Sequence, residues 1–341
     1  MRQIAIILLG LSLCILGHRA AAQGAVRQTE SVDQRRQFED SAKKYTPGES
    51  APELYLGETT DVGPQSVLRM PPRKTYFEGV ADVQYFRTDN MFLAHDHKES
   101  ADVLVSTVQI ALAPTAYDLG GGTFAPRIGY YHQWYNYGLI SSKRIQAFDF
   151  ETSSFREVAL HEFDFNAQTA FIDGRWMRDN WIFDVGFNYK RLLTWPGFDE
   201  FYREYVPRWG VRRMFPLDET KALTIGYEGD YRFTDTGRPL PFFNDNFNDR
   251  TDHSLFVAYS QSLCQAAAIQ PYYRFQYTRF TQGESRNDYL HSFGLALYCS
   301  ITKQIGLRAF VTYDILDTTS VIVPDYKKLD AGGGLNLTLR F

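Results

Sequence analysis

Residues 332–341 read GGGLNLTLRF. Leu335, Leu337, Leu339 and Phe341 fall on one parity, and Asn336, Thr338 and Arg340 on the other. Side chains alternate between the two faces of a strand, so this stretch is a strand with one apolar and one polar face. Chain ends are ordinarily ragged and polar. An amphipathic strand that stops on an aromatic residue reads instead as an element held by a neighbour along each edge.

The same alternation recurs upstream. Leu223, Ile225, Tyr227, Tyr231 and Phe233 oppose Thr224, Glu228, Asp230 and Arg232; Trp181, Phe183, Val185, Phe187 and Tyr189 oppose Asp184, Asn188 and Lys190. Twelve such segments lie near 75–87, 101–113, 123–137, 158–172, 177–192, 201–215, 220–234, 252–263, 267–281, 288–301, 304–317 and 330–341. The alternation blurs in VLVSTVQIALA, which is apolar on both parities, so ten or fourteen strands remain the neighbouring solutions to about twelve. The segments run about ten residues or more, the reach of a tilted strand across a bilayer, whereas strands of soluble sandwiches run about 5–6. Their connections alternate between long ones, such as RTDNMFLAHDHKES and TDTGRPLPFFNDNFNDRT, and short ones, such as PLDE and TKQ.

The opposite end of the chain, MRQIAIILLGLSLCILGHRAAAQG, has Arg2, an apolar run from Ile4 to Leu16, and Ala20-Ala21-Ala22. These are the three parts of a secretory signal peptide over residues 1–22, with cleavage expected before Gln23. Lipidation of Cys14 is not expected, because Leu13 is too large beside it. The leader carries Arg2 and Arg19 and no acid, so the mature chain is more acidic than the −4 of the whole. No basic stripe is present, which argues against nucleic acid as a partner. Two cysteines remain, Cys264 and Cys299; a disulfide framework is excluded, and a single bridge is disfavoured because a strand separates them. Aromatic residues make up 16% of the chain, yet mean hydropathy is −0.34. No apolar run after the leader approaches the ~20 residues of a membrane helix. Residues 23–73 are rich in Pro and Gly and read as a periplasmic segment, extended or partly disordered, with one short helix in SVDQRRQFEDSAKK. The strand pattern occupies 74–341.

LNLTLRF resembles the C-terminal β-signal of bacterial outer-membrane β-barrel proteins, the generic porin-like class, with Leu335, Leu337, Leu339 and Phe341 at its apolar positions. That resemblance implies an all-β fold: a transmembrane antiparallel up-and-down β-barrel in the bacterial outer membrane. The barrel-assembly machinery would take up the last strand, which then closes against the first. Membrane lipids would surround the barrel, and an even strand count would put both termini on the periplasmic side. Physically, a strand in hydrocarbon must pair on both edges, because unsatisfied backbone groups are intolerable there.

In such a barrel the polar parity faces the lumen. It carries Asp164, Asp184, Lys190, Glu228, Asp230, Arg232, Arg274, Arg308, Asp314 and Arg340, and Glu78 and Asp82 join them. A lumen lined this way passes small polar solutes, and the near balance of signs argues against strong ion selectivity. The alternative is a non-conducting barrel, structural or surface-binding, whose interior is filled by its own ion pairs. A segment following Gln23 is placed where it could occlude the lumen. A lipid hydrolase is a third reading, and the chain is expected not to be an enzyme: His253-Ser254 and His291-Ser292 are adjacent and so point to opposite faces. His95 and His97 flank Asp96 without a third metal ligand nearby, and Asp245, Asp249 and Asp252 lack the glycine and terminal glutamate of a calcium loop. The Gly runs 120–122 and 332–334 lack the Lys-Ser/Thr of a phosphate loop and read as flexible turns. No metal or cofactor is expected.

Overall fold

A computed structural model describes residues 24–37, 76–114, 116–141, 143–149, 154–236, 245–321 and 323–341. Among the described residues fifteen strands follow one α-helix, α1, at 24–37. They are β1 (Phe77–Thr88), β2 (Ala101–Leu112), β3 (Tyr117–Leu119), β4 (Gly122–Tyr137), β5 (Arg144–Asp149), β6 (Ser154–Ala159), β7 (Phe165–Arg178), β8 (Trp181–Thr194) and β9 (Glu200–Pro216). They continue as β10 (Lys221–Asp235), β11 (Arg250–Cys264), β12 (Ala267–Phe280), β13 (Asn287–Ser300), β14 (Ile305–Thr318) and β15 (Tyr326–Arg340). β1, β2, β4 and β7 to β15 form a closed antiparallel barrel of 12 strands in sequence order. β3 extends one turn as a hairpin with β4, and β5 and β6 pair only with each other.

The seam lies where the sequence pattern places it. β1 pairs with β15 in one register from Glu78↔Arg340 to Thr88↔Asp330. Phe77 and Phe341 exchange both backbone hydrogen bonds, at 2.9 and 3.1 Å, and their rings stack at 6.3 Å. The last residue is thus an integral part of the closure.

Closure sorts the parities. Outward residues such as Ile110 and Val185 are 64% and 62% exposed, whereas inward Gln84 and Phe86 are fully buried. Aromatic residues gather on the outer face toward both ends. Tyr231, Phe233, Tyr277 and Tyr289 lie toward the end with long connections, and Trp176, Trp181 and Phe183 toward the end with tight turns. A strand of 14 residues such as β7, at about 3.3 Å per residue and a tilt of about 40°, rises about 35 Å, enough for the ~25 Å apolar band of a membrane barrel.

Three local expectations give way. The fourth strand begins at Phe165, not near 158, because Leu160–Phe163 form a single 3-10 turn. Glu162 holds that turn by accepting from the Ala159 N–H at 3.2 Å and from Arg156 at 3.0 Å. The turn expected between the segments 158–172 and 177–192 moves to Asp179 and Asn180, since Asp173 and Arg175 find ion-pair partners inside the barrel and keep the strand going. Of the two glycine runs, Gly120 and Gly121 do turn the chain, at φ +60° and +76°. Gly332–Gly334 lie mid-strand in β15 instead. A Cβ on Gly332 would stand 2.2 Å from the Tyr85 carbonyl oxygen and 2.4 Å from the Phe86 Cβ, so the absence of a side chain lets the two seam strands meet. Cys264 and Cys299 are free thiols with β12 between their strands, and sheet-neighbour spacing puts them about 10 Å apart, beyond disulfide reach.

Candidate functional site

The lumen is not a bare channel, because α1 sits inside it. The sequence offers no Pro within 24–37 and mostly good helix formers, among them Ala25, Arg27, Gln28, Glu30, Gln34, Arg35 and Arg36. Local bonds reinforce the turns: Arg27 to Glu30 at 3.1 Å, and Arg35 to the Ser31 carbonyl at 3.1 Å. Ala25, Val26 and Val32 pack into one apolar cluster with Phe86, Val103, Val105, Tyr135, Phe165, Leu192 and Tyr202.

The polar residues of the helix fall into two charged edges. On one, Glu30 takes Arg232 at 2.9 Å and also Arg250, while Asp33 takes Lys190 at 2.9 Å, the Tyr131 hydroxyl at 3.2 Å and Gln133 at 3.3 Å. On the other, Arg27 meets Asp288 at 3.2 Å and Arg35 meets Asp330 at 3.3 Å. The Arg35 guanidinium also lies between the Phe86 and Phe310 rings, 4.5 and 4.4 Å from their centroids. Arg36 donates to Gln109 at 2.9 Å. Buried charges persist only when paired and hydrogen-bonded, and here helix and wall supply each other's partners.

The helix runs lengthwise. Gly24 lies beside Met91 in the connection after β1, at the long-connection end, and Arg36 reaches Gln109, deeper in β2. The first described residue therefore lies at the opposite end of the barrel from Phe341. The helix expected in SVDQRRQFEDSAKK starts seven residues earlier, at 24, and the described part ends at 37; the rest of the expected 23–73 segment lies outside the described residues.

The sequence-derived lumen residues distribute as follows. Asp82 pairs with Arg308 at 2.7 Å, Asp184 with Arg175 at 2.6 Å and also with Arg212, Asp230 with Arg232 at 3.0 Å, and Asp314 with Lys328 at 3.5 Å. Glu78 takes both Arg127 at 2.7 Å and Arg340 at 3.1 Å, and Glu228 faces Arg274 at 3.6 Å. Lys190 and Arg232 hold the helix. Asp164 stands apart. It precedes β7 on the outward parity and accepts the Tyr137 N–H at 2.7 Å and Asn136 at 3.2 Å, tying down the end of the neighbouring strand. Burial pushes its carboxyl above the usual range, partly offset by those two hydrogen bonds.

The other candidates are dispersed. Ser254 and Ser292 point inward, while His253 and His291 point outward onto the hydroxyls of Tyr227 at 2.7 Å and Tyr273 at 2.9 Å. His95 touches Asp96 on the surface, Asp249 accepts the Thr234 hydroxyl at 3.0 Å, and Asp252 faces inward to Arg232 at 2.8 Å. Among the described residues no group of three or more His, Cys, Asp or Glu is arranged to hold a metal ion.

Closure without edges, apolar residues outside and paired charges within admit one environment for this surface. The chain is a membrane β-barrel of the outer-membrane type. No protein-family model matches it, and no curated protein aligns with it. Among solved structures the barrel is similar to the beta domain of the Bordetella autotransporter BrkA, at 14% identity over 76% of this chain and 98% of that one, TM-score 0.45. It is similar also to an outer membrane channel from Pseudomonas putida, at 10% identity over 82% and 100%, TM-score 0.47. A third is the KdgM porin, at 10% identity over 75% and 97%, TM-score 0.37.

Proposed function

We propose that this outer-membrane barrel is a channel for small polar solutes that its own helix α1 holds shut. The observation that carries this reading is the double-edged ion pairing of α1 inside the lumen, Glu30 and Asp33 to one wall and Arg27 and Arg35 to the other. A helix bound only by apolar packing would be core; one bound through salt bridges on a polar wall can exchange its partners for water once it leaves. The tight-turn end faces the periplasm in this reading, where the assembly machinery meets Leu335, Leu337, Leu339 and Phe341, and the Gly24 end faces outward.

Planar-bilayer recording tests the proposal. The intact chain is expected to be silent, and a variant lacking residues 24–37 to show stable conductance steps. If that variant stays silent while migrating as a folded, heat-modifiable barrel, the non-conducting scaffold replaces the channel.

A further inference from the structure

Arginines crowd the tight-turn half of the lumen, below the helix, in an arrangement that is not symmetric in sign. Arg127, Arg175, Arg208 and Arg340 each give one nitrogen to a carboxylate: Glu78 for Arg127 and Arg340, Asp184 for Arg175, Asp173 for Arg208. In every one of these pairs the arginine is the more exposed partner. Arg127 and Arg340 are 31% and 67% exposed over a Glu78 at 10%, and Arg208 is 31% over an Asp173 at 22%. Carboxylates therefore lie against the wall and guanidiniums cover them. Two of the acids are shared, Glu78 by Arg127 and Arg340 and Asp184 by Arg175 and Arg212, which leaves each trio one positive charge in excess. Two pairs oppose this trend: Glu228, a quarter exposed beside an Arg274 at 10%, and Asp184, at 21% beside an Arg212 at 11%.

The backbone makes room for the pattern. Gly186 on β8 stands between Asp173 of β7 and Arg208 of β9, and a Cβ there would meet the Asp173 Oδ1 at 2.4 Å. The ion pair crosses the strand that separates its partners. On the neighbouring strands Arg127 lies directly across from Asp173, and Arg175 one inward position further along β7. A guanidinium carries five N–H donors in a planar fork. Each of these four arginines gives one nitrogen to its wall carboxylate, and the Nε of Arg127 and of Arg208 is buried without a partner among the described residues. Arginine, weakly hydrated and flat, suits bidentate capture of carboxylate or phosphate more than a diffuse ion atmosphere.

We infer that this half of the lumen is a binding site for small organic polyanions bearing carboxylate or phosphate groups, so that the solute class of the channel proposed above is anionic. The site lies in the tight-turn half of the lumen and is formed with α1 in place. It rests on the channel reading only for its role in transport, since binding can be measured alone.

Citrate is the probe, titrated calorimetrically into the full-length chain folded in detergent. Saturable binding is expected, with none for sucrose at the same concentration. R127Q/R175Q leaves Glu78 with Arg340 and Asp184 with Arg212, so neither acid is stranded, and it is expected to weaken citrate about tenfold while R127K/R175K weakens it less. Heat-modifiable migration checks that each variant is folded. Absence of citrate binding, binding unchanged in R127Q/R175Q, or equal binding of sucrose overturns the site. In bilayers under a KCl gradient, the variant lacking 24–37 is expected to prefer anions about threefold. Silence of that variant with citrate binding intact removes the channel and leaves the anion site. Conduction without citrate binding removes the site and leaves the channel.

Discussion

Reversing both acids of the helix, E30K/D33K, is expected to convert a closed barrel into a conducting one. Glu30 sits against Arg232 and Arg250, and Asp33 against Lys190. Lysine at both positions keeps helix propensity but turns each attraction into repulsion between buried cations. Breaking one buried pair costs about 3–5 kcal/mol, and about 3 kcal/mol alone shifts the ratio of docked to released helix by about 100-fold. Open probability in bilayers reads the effect directly, and E30Q/D33N should fall between the parent and the reversal. A silent E30K/D33K barrel, correctly folded, would show that these contacts do not hold the helix.

The second large effect is expected at the seam. Gly332→Val places a branched side chain where the Tyr85 carbonyl oxygen stands 2.2 Å from the new Cβ position. No rotamer relieves a clash with backbone, so β1 and β15 must part. Overpacking in an ordinary core costs about 1–3 kcal/mol, and a clash with partner-strand backbone belongs at or above the top of that range. Gly79→Val is the control, since nothing lies within 4 Å of a Cβ there. Valine favours strands at both positions, so intrinsic propensity does not separate them. Loss of the heat-modifiable band in G332V with its retention in G79V is the predicted outcome; equal folding of both would refute the role given to Gly332.

Much of the barrel is legible in the sequence because lipid and lumen impose opposite demands on alternate residues. The parity of Val185 and Asp184, or of Leu335 and Asn336, can be read without coordinates. The terminal phenylalanine is legible for the same reason, although its hydrogen bonds to Phe77 are not. The helix is harder to see. An amphipathic pattern reports a helix with water on one side and core on the other, but α1 is enclosed, its apolar residues against Phe86, Val103 and Tyr135 and its charged ones against ion partners on the wall. Its polar residues are buried with Val32, and its pattern matches a solvated segment. Gly332–Gly334 mislead because glycine signals a turn unless a close neighbour is known. Asp164 misleads because a short 3-10 turn shifts the start of β7, and one residue of shift reverses a side chain's face.

The anchors of α1 also carry information about when it can settle. Arg27 and Asp288 are 261 residues apart in the chain, and Arg35 and Asp330 are 295 apart. The acids that receive the helix's cations belong to β13 and β15, among the last strands to be synthesised, whereas α1 comes first. Until those late strands are in place, Arg27 has only Glu30 of its own helix and Arg35 lacks the Asp330 carboxylate. Docking of the helix is therefore a late event in biogenesis, and an undocked α1 would mark a barrel whose construction is unfinished.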